Sequence, residues 1–177
     1  DFKSKIKGAA TDPRFFATGI SVVAHMFSPF IPAAHFNSRF IVTKDAWFGG
    51  GCDLTPIYNE KLVKKKFHSL LKEFCNHHNK NYYDKFSKWC SEYFYLKHRN
   101  EERGIGGIFY DHLNSNWKKD FKFTSETGLF FLNVFSHFIM KYKDKNWEKK
   151  HIDKMLIKRS RYVEFNLLYD KGTMFGL

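Results

Sequence analysis

The sequence Trp-Phe-Gly-Gly-Gly-Cys-Asp-Leu-Thr-Pro at residues 47–56 decides how we interpret the fold of this chain. Glycine lets a backbone bend or approach another group closely, so we expect an extended segment over residues 46–55 that bends at the three glycines. Asp53 is the first charged residue after the bend and should be held beside the aromatic residues Trp47 and Phe48. A plain tight turn capped by the aspartate is the alternative interpretation of this stretch.

The residues before this stretch predict two further strands. Residues 17–26 and residues 33–43 alternate along the chain, and the first segment is also rich in β-branched residues. Pro29 and Pro32 lie between the two segments, where we expect a turn. Because short links join these consecutive segments, we predict that the strands pair in antiparallel fashion.

The residues after position 56 predict mostly helices. Asn59 is a candidate N-cap for a helix that continues to residue 77 and carries its apolar residues on one stripe. The later patterns predict helices over residues 83–97, 118–141 and 147–158, and strands over residues 107–113 and 161–169. Because strands and helices come in blocks, the sequence indicates an α+β fold, with a large antiparallel sheet and helices packed on its faces. We expect one domain over residues 1–177.

Composition excludes several classes of protein. The formal net charge is +12, which is typical of proteins that bind nucleic acids. However, the lysines are scattered over predicted helix faces, and most phenylalanines fall on apolar stripes. We therefore expect no nucleic acid. The cysteines Cys52, Cys75 and Cys90 form no Cys-x-x-Cys pair, which indicates reduced, mostly buried thiols. No apolar run approaches the length needed to span a bilayer.

Polar side chains alternate along the two strands predicted before the glycines. His35, Asn37 and Arg39 share one face of the second strand, and Ser21 and His25 share one face of the first. If the strands pair so that these rows coincide, one face of the sheet carries hydroxyl, imidazole, amide and guanidinium groups. Arginine presents a planar fork to a carboxylate, and histidine exchanges protons near neutral pH. This pattern favours a site for a ligand with several carboxylates; a solvated strand face is the alternative.

Three motifs together resemble the oxygen-dependent coproporphyrinogen III oxidases. They are residues 47–56, Gly-Ile-Gly-Gly-Ile-Phe-Tyr-Asp at residues 104–111, and residues 161–177. The motifs stand in the family order, and the resemblance extends from Ala17 to Leu177. It implies an oxidoreductase of haem and porphyrin biosynthesis that converts two propionates of coproporphyrinogen III to vinyl groups with dioxygen, giving protoporphyrinogen IX. It also implies a truncated domain without its N-terminal and C-terminal segments, because the family's Gly-Gly-Arg substrate motif would lie beyond Leu177.

The resemblance also assigns roles to individual residues. The family pattern Ser-x-x-x-His, followed by His-x-Asn-x-Arg, matches residues 21–25 and 35–39. It implies that His35 is the proton donor. The Asp53 carboxylate can accept hydrogen bonds from pyrrole N–H groups, so we take it as the second catalytic residue. The implied substrate-binding residues are Ser21, Asn37 and Arg39. The positions that match divalent-metal ligands are His25, His35, His68 and His98. The implied dimer interface includes Tyr162, Glu164 and Asn166.

The same resemblance sets expectations for cofactors, partners and location. It implies that no organic cofactor is required and that dioxygen is the co-substrate, with a divalent metal as an open alternative. The expected partners are coproporphyrinogen III and a second copy of the chain. The expected location is the cytoplasm, or a mitochondrion or plastid if a targeting segment is missing. The alternatives are an incomplete or inactive relative that serves only as a dimer partner, and a basic nucleic-acid-binding module. One departure from the family pattern is His112, which follows Asp111 where a second acid is usual.

Overall fold

The computed structural model describes residue 12, residues 14–170 and residue 173. Within these residues the chain forms six strands and four helices. The strands are β1 (Phe16–Ala24), β2 (Ala33–Val42), β3 (Ala46–Thr55), β4 (Tyr95–Leu96), β5 (Glu101–Glu102) and β6 (Gly107–Leu113). The helices are α1 (Glu60–His78), α2 (Tyr82–Tyr93), α3 (Trp117–Tyr142) and α4 (Lys149–Leu168).

The main sheet is antiparallel throughout and has the strand order β1-β2-β3-β6. The short strands β4 and β5 pair separately. The α+β prediction is therefore confirmed, as are the four strands predicted over residues 17–26, 33–43, 46–55 and 107–113. The expected bend at the glycines coincides with a shift of register between Phe48 and Gly50 in the β3–β6 pair, and such a bulge bends a strand.

The helices bury opposite faces of this sheet. On one face Phe36 stacks on Phe131 of α3, and Phe48 contacts Trp117 at the start of the same helix. The three phenylalanine rings belong to the main apolar core, which α1 completes from its own buried stripe. On the other face Tyr162 of α4 stacks on a side chain of β2. Because side chains alternate along β2, the apolar core on one face leaves the polar row on the other.

The last third of the chain corrects the sequence analysis. A short helix and a strand over residues 161–169 were predicted, but α4 continues as one helix from Lys149 to Leu168, so that strand prediction is wrong. Tyr162, Phe165 and Tyr169 also recur at helical spacing (i, i+3, i+7), so this short apolar pattern fits a helix as well as a strand. In the helix, Tyr162 and Phe165 lie three residues apart and face the sheet side, whereas Val163 is 53% exposed.

Two smaller differences concern helix ends. α2 ends at Tyr93 rather than near residue 97, because the next residues leave the helix to pair as β4 with β5. Asn59 does occupy the N-cap position of α1, as predicted. Its backbone has a φ of 55° and its side chain makes no capping hydrogen bond, so its contribution is a left-handed backbone turn, which asparagine tolerates.

All three cysteines are free and buried, as the spacing indicated. Burial raises the pKa of Cys75 to about 12 and raises the pKa values of Cys52 and Cys90 well above the ordinary thiol range. Among the described residues, the structure contains no helix with the length and apolar character needed to cross a bilayer.

These buried thiols should be unreactive in the folded protein. The thiolate is the nucleophile in alkylation, and both the raised pKa and the lack of access suppress it. We expect iodoacetamide at neutral pH to leave the native protein unmodified and to add three groups after denaturation, since the chain has three cysteines. Mass spectrometry measures both states; rapid alkylation of the native protein would contradict the buried positions.

Candidate active site

The strand register brings the two predicted polar rows onto one face of the sheet. Ser21 of β1 lies opposite Asn37 of β2, and two residues further along β2 the pairing places Arg39 opposite a glycine. On the other side of β2, His35 lies opposite Asp53 of β3. Directly paired residues of antiparallel strands point to the same face. Ser21, His35, Asn37, Arg39 and Asp53 therefore form one polar surface.

This polar surface forms the floor of a large cavity. The cavity has a volume of about 970 Å³, and all five residues of the polar surface line it. Aromatic walls come from α2 and α4, where Trp89, Tyr93, Tyr162 and Phe165 line the space. Ligand sites in proteins commonly have volumes of roughly 300–1,000 Å³, with mostly apolar walls and a few placed polar groups. The volume and lining fit a large, flat ligand with several polar substituents.

A buried ion pair lies at one end of the cavity floor. His35 Nδ1 is 3.1 Å from Asp53 Oδ2, and Arg103 Nη2 is 2.6 Å from the same oxygen. Asp53 is 5% exposed and Arg103 is 4% exposed. Burial would raise the pKa of Asp53, but the charges and hydrogen bonds of Arg103 and His35 outweigh it and hold the pKa well below the ordinary carboxyl range. Asp53 is therefore a carboxylate at all physiological pH values.

Arg103 is the site residue that the sequence analysis missed. It precedes the glycine-rich motif at residues 104–111, and its position in a short loop gives no strand or helix periodicity from which to predict its direction. The only signal is an arginine placed between an acidic pair and a glycine-rich segment. Its role as the partner of Asp53 depends on a contact between residues fifty positions apart.

A second histidine extends the ion pair. His25 Nε2 is 3.0 Å from His35 Nε2, and the His25 ring also meets Tyr162 edge-on at 4.7 Å between centroids. Burial lowers the pKa of His25 to about 4, and the nearby side chains of His35, Arg159 and Arg103 act in the same direction. His25 is therefore neutral near pH 7. The described contacts form a continuous chain from Arg103 through Asp53 and His35 to His25.

Arg39 occupies the other end of the floor, where acidic and amide groups orient it. Its Nη2 is 2.9 Å from Asp111 Oδ2, its Nη1 donates to Asn37 Oδ1 at 3.0 Å, and its guanidinium carbon lies 5.5 Å from the centre of the Phe109 ring. A Cβ on Gly49 would lie 2.5 Å from Asp111 Oδ1 and 2.8 Å from Arg39 Nε. The absence of a side chain at Gly49 therefore makes room for the Arg39–Asp111 pair.

Comparison with known proteins assigns the chain to a family. The sequence profile of the family described as coproporphyrinogen III oxidase matches residues 2–177. The chain belongs to the coproporphyrinogen III oxidase family.

Curated relatives show the same similarity. The oxygen-dependent coproporphyrinogen-III oxidase of Rickettsia akari (strain Hartford) is 54% identical over 178 residues, which cover 100% of this chain and 64% of that protein. The protein of the same name from Rickettsia bellii (strain OSU 85-389) is 54% identical over 177 residues, covering 99% of this chain and 63% of that protein. The chain therefore spans just under two thirds of the length of these relatives.

The four histidines that the sequence analysis named as possible metal ligands do not converge in the described part of the chain. Only His25 and His35 are adjacent. His68 Nε2 lies 2.7 Å from the Ile105 carbonyl oxygen and its Nδ1 lies 3.0 Å from the Tyr83 hydroxyl, so both ring nitrogens are engaged. His98 Nε2 contacts a carboxylate of α4 at 2.8 Å. Within residues 14–170, no three His, Cys, Asp or Glu side chains come together as a metal-binding group.

Of the three residues assigned to the dimer interface, Tyr162 and Glu164 contact side chains of their own chain and Asn166 faces the cavity. The Tyr162 ring stacks on the His35 ring, with centroids 4.8 Å apart and an angle of 6° between the planes. Glu164 Oε1 accepts from Arg99 Nη2 at 2.6 Å, and Asn166 lines the cavity. Tyr162 therefore belongs to the site as well, which the strand predicted there did not reveal.

The aromatic pair before the glycines contributes to the site indirectly. Trp47 is buried and its Nε1 donates to Asp111 Oδ1 at 3.1 Å, so it fixes the carboxylate that holds Arg39. Phe48 belongs to the apolar core on the opposite face. Neither ring lines the cavity. The expected aromatic wall beside Asp53 is instead supplied by the helices.

Proposed function

We propose that the protein oxidatively decarboxylates two propionate groups of coproporphyrinogen III to vinyl groups, with dioxygen as the co-substrate and protoporphyrinogen IX as the product. The observation that carries this proposal is the placement of an arginine fork, a hydroxyl and an amide on the same sheet face as a buried His–Asp pair, within one large cavity. The family and the names of the relatives support the same reaction.

The cavity floor suits the carboxylates of such a substrate. Arg39 offers two parallel N–H donors to a propionate, and Ser21 and Asn37 lie beside it as neutral partners. Asp111 already shares the Arg39 guanidinium, with a side chain that is 22% exposed. A propionate that binds Arg39 therefore joins or displaces Asp111, and this competition favours ligands whose carboxylate reaches the guanidinium in plane.

In this reaction the protein mainly positions the substrate and transfers protons. Each propionate loses its carboxyl group as carbon dioxide and one hydrogen from the carbon attached to the pyrrole, so that a vinyl group forms. The two electrons released pass to dioxygen, which takes up two protons, one of them from that carbon, and becomes hydrogen peroxide. His35 supplies or accepts a proton at this end of the floor, and Asp53 accepts hydrogen bonds there. Trp89, Tyr93 and Tyr162 exclude water from the pyrrole rings of the macrocycle.

Product analysis in air and under argon tests the proposed activity. We expect the intact protein to convert coproporphyrinogen III to protoporphyrinogen IX in air, with release of carbon dioxide and consumption of oxygen, and to leave it unchanged under argon. Chromatography of the porphyrins after chemical oxidation measures both. Equal conversion with and without oxygen, or no conversion in air, would contradict the proposal.

Alanine substitutions at Gly49 and Gly51 distinguish an effect on the site from an effect on the fold. In Gly49→Ala the new methyl meets the mobile ends of Asp111 and Arg39, so we expect the KM to rise about tenfold while the fold persists. In Gly51→Ala the methyl lies 2.3 Å from the Ile108 carbonyl oxygen, which is backbone. That variant should lose roughly 1–3 kcal/mol of stability, as overpacked sites do.

Turnover kinetics and urea unfolding of both glycine variants measure these effects. The expected pattern is a shifted KM with near-normal unfolding for the first variant and the reverse for the second. Identical behaviour of the two variants would show that Gly49 has no particular relation to Arg39.

A homodimer is also part of the proposal. The outer side of α4 exposes apolar residues that would gain from burial against another surface: Leu156, Ile157, Val163, Leu167 and Leu168. Sedimentation of the intact protein should give twice the mass of one chain, and Val163→Asp should lower it. A monomer at all concentrations would remove this part of the proposal. The cytoplasmic location stays a prediction.

A further inference from the structure

Arg103 is held in one place by its backbone. Its amide N–H donates to the Phe94 carbonyl oxygen at 3.3 Å, and the amide of Ile105, two residues on, donates to the Leu54 carbonyl oxygen at 3.0 Å. The loop that carries Arg103 is therefore fixed to α2 on one side and to β3 on the other. Asp53 lies on β3, one residue from Leu54, so the arginine and its carboxylate partner are anchored to the same strand.

Aromatic rings fix the direction of the Arg103 side chain. The guanidinium carbon lies 3.9 Å from the centre of the Phe94 ring, 5.0 Å from that of Phe165 and 5.4 Å from that of Tyr162. A planar guanidinium stacks on such rings, and a cation gains attraction from their faces. Packed among three rings, the group cannot swing away from Asp53 without losing these contacts.

The shared carboxylate oxygen determines which nitrogen of His35 carries a proton. Asp53 Oδ2 faces both Arg103 Nη2 and His35 Nδ1, and a carboxylate only accepts hydrogen bonds. His35 Nδ1 must therefore donate. A neutral imidazole has one N–H, so His35 Nε2 is left as the acceptor, facing His25 Nε2 at 3.0 Å. Without Arg103 the Asp53 carboxylate is free to turn about its soft terminal torsion.

We propose that Arg103 is a positioning residue: it locks the Asp53 carboxylate against His35 Nδ1 and thereby keeps the lone pair of His35 on Nε2, which faces His25 Nε2. This role rests on the proposed function in one respect only, the proton transfer by His35 during turnover. The position of the proton on His35 does not depend on that function, so the two claims are tested separately.

Nitrogen-15 NMR of the histidine rings and steady-state kinetics test this role together. The variants are Arg103→Met, Arg103→Lys and Arg103→Ala, and the matched control is Arg99→Met. Arg99 also pairs with a carboxylate: its Nη2 donates to Glu164 Oε1 at 2.6 Å. That pair connects the loop of Arg99 to α4. It does not line the cavity.

The expected results differ between these variants. Wild-type His35 should show the proton on Nδ1, whereas Arg103→Met should show a mixture of the two ring forms and a kcat lower by about 10- to 100-fold, the usual cost of losing a group that orients a functional side chain. The KM should stay near its original value, because Arg39 still binds the carboxylates. Arg103→Lys, which keeps the charge, should retain the Nδ1 form and part of the kcat. Arg99→Met should change neither measurement.

Chemical rescue gives an independent result. In Arg103→Ala, guanidinium at millimolar concentration, well below its denaturing range, should restore part of the kcat and the Nδ1 proton. Urea has a similar shape and no charge, so it should restore neither.

Four outcomes are decisive. An unchanged Nδ1 proton in Arg103→Met overturns the proposal, whether turnover falls or not. So does an equal loss in Arg99→Met, since that would be a general effect of loosening α4. If Arg103→Met does not fold, failure of Arg103→Lys to retain the Nδ1 form overturns it. If the wild-type protein shows no turnover but the ring forms respond as expected, the positioning role stands and the proposed function fails.

Discussion

Asp53→Asn is expected to lower kcat by about 10²–10⁴-fold, the range that a positioned proton-transfer group contributes. The substitution keeps the shape of the side chain but removes the charge that Arg103 and His35 share. An asparagine also presents N–H donors, so it no longer forces the proton of His35 onto Nδ1. The same change leaves Arg103 buried without a charged partner, which costs about 3–5 kcal/mol of stability where such pairs are broken.

Asp120→Asn is the matched control for this prediction. Asp120 is also a buried carboxylate, 1% exposed, and its Oδ2 accepts from the Asn116 amide at 2.8 Å at the start of α3. It does not line the cavity. We expect Asp120→Asn to lower the free energy of unfolding while kcat stays near the wild-type value. Near-normal turnover in Asp53→Asn, or equal losses in both variants, would remove Asp53 from the site.

Arg39→Ala should lower kcat/KM by about 100-fold, because hydrogen bonds to charged groups contribute roughly 1.5–3 kcal/mol each. The loss should fall mainly on KM, since a propionate remote from the reacting group is bound similarly before and during the reaction. Arg39→Lys keeps the charge but loses the planar fork, so its loss should be intermediate. Initial rates over a range of coproporphyrinogen III concentrations give both constants.

Arg161→Ala is the control for the arginine series. Arg161 pairs with Glu101 at 2.6 Å, and its side chain is 23% exposed, close to the 29% of Arg39. It lies outside the cavity. Initial-rate measurements should show the loss of kcat/KM in Arg39→Ala and not in Arg161→Ala. If both alanine variants behave alike, or if the loss in Arg39→Ala falls wholly on kcat, Arg39 is not the carboxylate anchor.

The part of the site that lies on strands could be predicted from the sequence. His35, Asn37 and Arg39 share a face because strand side chains alternate, which is a local rule. Asp53 follows the glycines on the next strand, and its direction depends on a register that sequence spacing only suggests. The apolar residues Phe36 of β2 and Phe48 of β3 settle this register, because a slip of either strand by one residue would move its own ring out of the core.

The parts of the site that lie outside the sheet could not be predicted in the same way. Arg103 is in a loop without periodicity, and its contacts with Asp53 and Phe94 arise only when α2 and β3 are in place. Tyr162 was assigned to a strand because Val163, Phe165 and Leu167 alternate with polar residues. In the structure those residues belong to α4. The contact of Tyr162 with His35 therefore depends on how the helix crosses the sheet.

Whether the four predicted metal ligands come together also depends on contacts between residues that are far apart in the sequence. His68 and His98 were grouped with His25 and His35 through the family resemblance alone. In the structure, the Ile105 carbonyl and the Tyr83 hydroxyl engage His68, while Glu164 and Tyr169 engage His98. A shared ion would therefore need these histidines to exchange the contacts that now hold them.

A crystal structure of the intact protein with coproporphyrin III, the unreactive aromatic form of the substrate, tests the central claim most directly. We expect the macrocycle in the cavity beneath α4, with a pyrrole nitrogen within hydrogen-bonding distance of Asp53 and a propionate on the Arg39 guanidinium. A porphyrin bound elsewhere, with Asp53 and Arg39 both untouched, would contradict the assignment of this sheet face as the substrate site.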